Sequence, residues 1–193
     1  GTTNPPFTGL EQYGDVESLN HFQILRDKGM GGESALAILA AHSRDNSRTP
    51  VQWDGSENAG FTAGKPWIQV NPNYKRINAR EQAEDPDSIF SYYRALIRLR
   101  KEQPVVAWGD FAPLDREHPA VLAYRRCWKG DTLYCISNFR RKPCTWACPE
   151  ELSGCRVLLS NYPDPRPGQE MSLRPYESMI LLRSGEEENH QHL

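Results

Sequence analysis

The sequence predicts an α+β protein, helical up to Pro104 and built of short antiparallel strands after it. Three observations predict this. Apolar residues before Pro104 recur at the three-and-four spacing of a helix face, and a polar stretch from Asp45 to Pro86 has no period at all. After Pro104 the apolar runs are short, rich in β-branched and aromatic residues, and cut by turn signals.

Taken in order, residues 1–14 carry Pro5, Pro6, Gly9 and Gly14 without a period and read as irregular. A first helix follows, with Asp15 as its N-cap, Glu17 and Ser18 in its first turn, and Val16, Leu19, Phe22 and Leu25 on its apolar side until Gly29, Gly31 and Gly32 stop it. A second helix starts near Glu33 with Leu36, Ile38, Leu39 and Ala40, and runs into His42-Ser43 just before the polar stretch. That stretch, Asp45 to Pro86, reads as structureless and far exceeds the usual connection of about 4–6 residues, a length at which loops are commonly functional. Asp87-Ser88 opens the strongest helix, with Ile89, Tyr93, Leu96, Ile97 and Leu99 in its stripe and Pro104 closing it. The predicted strands are Val105–Trp108, Phe111–Pro113, Val121–Trp128, Thr132–Asn138, Cys144–Ala147, Arg156–Ser160 and Ser178–Leu182, a spacing that suits an antiparallel sandwich. The domains expected are 1–103, 104–184 and a tail at 185–193, whose His190 and His192 read as a frayed end rather than metal ligands.

At 193 residues the chain can hold one domain with a good core and part of another. Lysine and arginine number 23 against 25 acidic residues, so no net field recruits nucleic acid, and no apolar run approaches the length that spans a bilayer. The chain begins at Gly1 with neither methionine nor a leader, so its N-terminal end reads as cut. Cys127, Cys135, Cys144, Cys148 and Cys155 lack zinc-ligand spacing; reduced thiols in a cytoplasmic protein are the first reading, a disulfide the second and zinc a remote third. No cofactor or metal site is expected.

The polar stretch is the most informative. Arg44-Asp45-Asn46-Ser47-Arg48-Thr49-Pro50-Val51-Gln52-Trp53 is followed by Asn58 to Thr62, Pro66-Trp67 and Asn71-Pro72-Asn73-Tyr74. Guanidinium forks, amides and flat rings can line a wet pocket that binds a small carbohydrate, the rings stacking on the C–H face of a pyranose. An ordinary polar surface loop anchored by aromatics has the same composition.

With Gly1-Thr2-Thr3-Asn4, Tyr13 to Asn20, Ser43 to Trp53, Asn58 to Thr62, Tyr92-Tyr93, Leu96 to Lys101 and Leu173 to Ser178 in view, the chain resembles the C-terminal portion of bacterial α-glucosidases of the α-amylase superfamily. The likeness covers residues 1–183. It implies that residues 1–103 are the last βα loop and helix of an incomplete (β/α)8 barrel and that an antiparallel β domain follows. Val51 and the Asp15-Val16-Glu17-Ser18-Leu19-Asn20 spelling favour the trehalose-6-phosphate hydrolase branch, whereas Val70 to Tyr74 favours the oligo-1,6-glucosidase branch.

By resemblance, hydrolysis with retention needs an aspartate nucleophile, a glutamate acid/base and a further aspartate on barrel strands preceding this segment. None is expected here, so the chain alone is predicted to be inactive, with the missing barrel portion as its partner. The resemblance gives Arg44 and Glu17 sugar-binding roles, Arg44 pairing with an acid from an early barrel loop. Glu17 is equally a first-turn acid favouring the helix dipole. Asp45, Asn46 and Arg48 would hold the loop's shape, and Trp53, Phe61 and Trp67 would pin it to the barrel. Asp15 and Glu17, two positions apart, are expected on different sides of a helix. Leu19, Phe22, Leu36, Leu39, Leu96 and Leu99 are expected to form an exposed apolar patch. Two other readings stand beside this one: a noncatalytic carbohydrate-binding module displaying Trp108, Trp128 and Trp146, and a related ectodomain that has lost catalysis.

Overall fold

The computed structural model describes residues 2–185 and divides into two units, 1–91 and 92–193. Residues 186–193 of the tail expected to be frayed, His190 and His192 among them, lie outside the described residues.

In the first unit, α1 (Val16–Asp27) and α2 (Gly32–His42) form where the apolar spacing places them. Gly29 ends the first excursion at φ +85°, a left-handed angle that costs glycine no steric penalty. The two helices pack Leu19, Phe22, Leu36 and Leu39 around Phe7, Tyr13 and Ile68, with the Phe7 and Tyr13 rings edge to face at 5.0 Å. This corrects the expected exposed patch: against residues 7–13 and Ile68, Leu39 is buried and Leu19, Phe22 and Leu36 are half-buried, and Leu96 and Leu99 are half-buried as well. The exposed apolar groups are others, among them Val16, Ile24, Tyr93 and Ile97.

The long stretch is not wholly structureless. It contains 3₁₀ turns at Arg44–Ser47, Glu57–Gly60 and Pro72–Lys75 and a short helix, α3 (Ala79–Glu84). Asn78 caps α3 by accepting the Glu81 amide, an Asn-x-x-Glu start signal that was available in the sequence. The stretch is held by side-chain amides. Asn71 Nδ2 donates to the Thr3 carbonyl at 3.0 Å, and Gln52 Nε2 to Asn73 Oδ1 at 2.9 Å.

Helix α4 (Ile89–Glu102) is followed by α5 (Pro104–Trp108), which replaces the predicted strand Val105–Trp108. Pro104 at the first turn presets a helical φ and needs no amide partner there, outweighing the β preference of two valines. Burial of Val105 against Leu133 and Leu182 completes the argument. The Gly109 amide caps the helix on the Val105 carbonyl, and a Cβ at Gly109 would lie 2.6 Å from that oxygen.

Among the described residues seven strands follow: β1 (Asp110–Asp115), β2 (Val121–Trp128), β3 (Asp131–Asn138), β4 (Cys144–Ala147), β5 (Arg156–Ser160), β6 (Glu170–Leu173) and β7 (Ser178–Arg183). All pairings are antiparallel, in one sheet ordered β1-β2-β3-β7-β5 and a second of β4-β6. Ala123 faces Ile136 across β2 and β3, and Ile136 faces Met179 across β3 and β7. These residues share a core with Trp146, Met171 and Leu173 of the smaller sheet. On the other face Leu133 and Leu182 meet Val105 of α5, so the larger sheet is covered on both sides. Strand β6 was missed although Glu170-Met171-Ser172-Leu173 alternates exposed and buried.

The tryptophans do not make a common glycan platform. Trp146 is buried and donates its indole N–H to Asp115 Oδ2 at 3.1 Å, Trp128 packs on the Leu133–Leu182 cluster, and Trp108 is exposed. All five cysteines are free thiols; Cys148 is buried and the others half-buried.

Candidate functional site

Two chain segments far apart in sequence build the site: the start of α1 and the turn after α2. Asp15 has extended angles (φ −75°, ψ 114°) and caps α1, its Oδ2 accepting the Ser18 amide at 3.1 Å and the Ser18 hydroxyl at 3.0 Å. Ser18 Oγ in turn lies 2.8 Å from Ser43 Oγ. Ser43 caps the following turn by accepting the Asp45 amide at 3.1 Å. Asp45 is fully buried, and its Oδ2 accepts the amides of Gly14 at 2.8 Å and Asp15 at 2.9 Å. One carboxylate therefore clamps the two segments together, its Oδ2 holding two amide hydrogen bonds.

The arginines close the cluster. Arg44 Nη2 lies 3.1 Å from Asp15 Oδ1 and 2.7 Å from Glu17 Oε2. Arg48 Nη1 lies 3.1 Å from Asp15 Oδ1 and 3.5 Å from Asp45 Oδ1. Asn46 stands behind, donating to the Ala40 carbonyl at 2.9 Å, while its buried Oδ1 has no partner among the described residues. The structure thus brings Arg44, Glu17, Asp45, Asn46 and Arg48 into one neighbourhood.

The expectation that Asp15 and Glu17 diverge is corrected. Asp15 is the cap and lies outside the helix, so the 100° step between helical positions does not apply, and both carboxylates turn to the same guanidinium nitrogen. Asp15 was legible only as a cap; the structure makes it the hub. Burial alone would raise its pKa, but the hydrogen bonds from Ser18 and Arg48 and the charge of Arg44 outweigh that and hold it below the usual carboxylate range. The Tyr13 hydroxyl beside them is pushed up by burial and by the Asp45 charge.

A cavity of about 150 Å³ opens on this cluster, lined by Asp15, Glu17, His21, Ile38, His42 and Arg44 among others. The side chain of Arg44 is 58% exposed, and its Nε and Nη1 make no ion pair or hydrogen bond among the described residues. Glu17 offers an exposed carboxylate beside it. Spare donors next to an acceptor, over the apolar flank of Ile38, suit the hydroxyl pattern and C–H face of a sugar ring. His21 and His42 were not singled out from sequence. His21 lies four positions after Glu17, which places both on one helix face and could have flagged it; nothing local flags His42.

Trp53, Phe61 and Trp67 are exposed, Trp67 by 69%, so within the first unit they are not core groups. Among the described residues no group of three His, Cys, Asp or Glu is placed to hold a metal ion, and no helix is long and apolar enough to cross a membrane.

Residues 8–109 match the alpha amylase catalytic domain, and residues 111–180 match the maltogenic amylase C-terminal domain. The chain belongs to the alpha-amylase family: part of the catalytic domain comes first, then an antiparallel sheet domain. Within that family its relatives are glycoside hydrolases. Trehalose-6-phosphate hydrolase of Escherichia coli K12 is 44% identical over 184 residues, covering 95% of this chain and 33% of that protein. Oligo-1,6-glucosidase of Halalkalibacterium halodurans is 42% identical over 190 residues, covering 96% of this chain and 34% of that protein. The crystal structure of Bacillus licheniformis trehalose-6-phosphate hydrolase matches with a TM-score of 0.88 at 44% identity, over 94% of this chain and 34% of that one. The chain spans about a third of the length of the curated relatives it matches.

Proposed function

We propose that this chain is the C-terminal portion of a retaining α-glucosidase that hydrolyses trehalose 6-phosphate to glucose and glucose 6-phosphate, and that it supplies a wall of the sugar pocket. Residues 1–103 are then the end of the (β/α)8 barrel and residues 104–184 the β domain. The observation that carries the reading is the convergence of Asp15 and Glu17 on Arg44 at the edge of a cavity. Arg44 donates its spare N–H groups to sugar hydroxyls and Glu17 accepts from them. Buried Asp15 and Asp45, with Arg48, fix the guanidinium beforehand, so little is lost in ordering it when the sugar arrives.

The same geometry argues against bond cleavage by these acids. Retention requires two carboxyl groups about 5–5.5 Å apart across the glycosidic bond, one of them carrying a proton to give. Here the hydrogen bonds from Ser18 and Arg48 and the charge of Arg44 favour the anion of Asp15, which does not fit the acid role, and Arg44 bridges Asp15 and Glu17 where a glycosidic bond would have to lie. The catalytic carboxylates accordingly belong to a preceding part of the polypeptide, and residues 1–193 alone are inactive. A cytoplasmic setting, where thiols stay reduced, suits the five cysteines.

A second reading has one observation in its favour: Val70 to Tyr74 is spelled as in the oligo-1,6-glucosidase branch, whose substrate would be an isomaltose-type sugar. Assaying the complete reading frame on trehalose 6-phosphate, trehalose and isomaltose separates the two. Preference for isomaltose overturns the phosphotrehalase assignment. Turnover by residues 1–193 alone overturns the division of labour. In the active protein Arg44→Gln is expected to lower kcat/KM by about ten- to a hundredfold, about 1.4–2.7 kcal/mol of lost binding to the transition state.

A further inference from the structure

The second unit carries a groove that the proposed activity does not use. It holds about 490 Å³ and is lined by Phe139, Arg140, Arg141, Lys142, Pro143 and Tyr176 among others, with no acidic residue in the lining. The volume falls within the range of about 300–1,000 Å³ common to small-molecule sites. Three consecutive cations on a chain of net charge −2 are a local concentration of positive potential. The side chains of Arg141 and Lys142 are exposed and make no ion pair among the described residues.

The groove's walls are fixed from behind. Buried Asn138 donates to the carbonyls of Lys142 and Arg174, both at 2.9 Å, and accepts the Arg140 amide at 2.9 Å. The Tyr176 amide donates to the Arg140 carbonyl at 3.1 Å, joining the β3–β4 turn to the β6–β7 turn. Tyr176 adopts φ +56°, an uncommon angle for a bulky residue, and keeps its ring exposed. Arg140 lies 5.0 Å over the Phe139 ring and donates to the Pro119 carbonyl, so it is held in place, while Arg141 and Lys142 remain available.

We propose that this groove binds an anionic sugar, a hexose phosphate, outside the glucoside pocket. The phosphate pairs with Arg141 and Lys142, whose fork and point charge suit its oxygens, and the Tyr176 ring offers a face to the pyranose C–H groups. The concavity and the single exposed tyrosine face favour one small ring over an extended polyanion.

The test is a titration of the full chain with glucose 6-phosphate, followed by amide chemical shifts, with glucose and inorganic phosphate as parallel arms. Saturable shifts at residues 139–143 and 176 are expected, stronger for glucose 6-phosphate than for either half. They should weaken at least about tenfold in R141Q/K142Q and in Y176A and persist in R44Q, which separates this site from the pocket around Arg44. Both exposed-residue variants should keep the melting temperature of the parent, excluding misfolding. Shifts from phosphate alone as large as those from glucose 6-phosphate overturn the sugar assignment, as does displacement by anionic phospholipid vesicles without sugar-dependent shifts. Loss of the signal in R44Q, or no shift at these residues, overturns the site.

Discussion

In the first unit Arg44 engages its two acids through Nη2 alone, beside a cavity; in the second, Arg174 has every nitrogen committed. Arg174 Nε and Nη2 reach the two Glu177 oxygens at 3.0 and 2.7 Å, and Nη1 reaches Asp164 Oδ1 at 2.6 Å. Its guanidinium is 3.9 Å over the Tyr162 ring. Both clusters pair arginine with a buried carboxylate, so the pairing itself does not mark a binding site. What separates them is the donors left over. The Arg174 cluster locks the corner before β7, whereas the Arg44 cluster stops short of saturation where there is room for a ligand.

The sharpest way to break this contrast is to remove the buried acid of the closed cluster. Glu177→Ala removes the acceptors of the Arg174 amide and Nε and the shorter of the two Nη2 contacts, leaving only Asp164, and should destabilise the β domain by about 3 kcal/mol, read from urea unfolding followed by strand-specific hydrogen exchange. A change below about 1 kcal/mol would make the corner no more committed than a surface pair.

Acidification tests the open cluster. Asp15 is held below its ordinary value in the folded chain, so its contribution is fully present above the unfolded value of about 3.9 and fades as pH falls through the lower folded value. Glu177, lowered chiefly by its hydrogen bond from Arg174, obeys the same sign. Exchange protection in α1 should therefore drop below about pH 4, and Asp15→Asn should flatten that drop while leaving the one in β7 unchanged. Equal flattening in both units would mean that the two clusters are not separate.

A smaller effect sharpens the comparison. Ser18→Ala deletes the hydroxyl that links Asp15 to Ser43 and should cost about 1 kcal/mol in thermal unfolding. Arg44 should still bind sugar, since its own contacts to Asp15 and Glu17 remain.

Much of the fold was legible because it rests on local grammar. The Asp15 cap, the apolar spacing of α1, α2 and α4, and six of the seven strands follow from periodicity and turn residues near each element. The Arg44-Asp45-Asn46-Ser47-Arg48 motif could be singled out by its residue types as a candidate for sugar recognition, and Glu17 only through the family resemblance. Where reading failed, a rule was misapplied or a partner was remote. Val105–Trp108 became a helix because a proline start and distant Leu133 and Leu182 outweighed two β-branched residues.

The sequence by itself determined the three long helices and six of the strands, the near balance of charge, and a set of polar residues suited to meet a sugar. Only the tertiary structure decided that Asp15 is the hub, because its ties to Asp45, Arg44 and Arg48 span about thirty positions of chain that no local period encodes. It also decided which arginine keeps spare donors, since saturation of a guanidinium depends on which acceptors the packed chain brings within about 3 Å of each nitrogen.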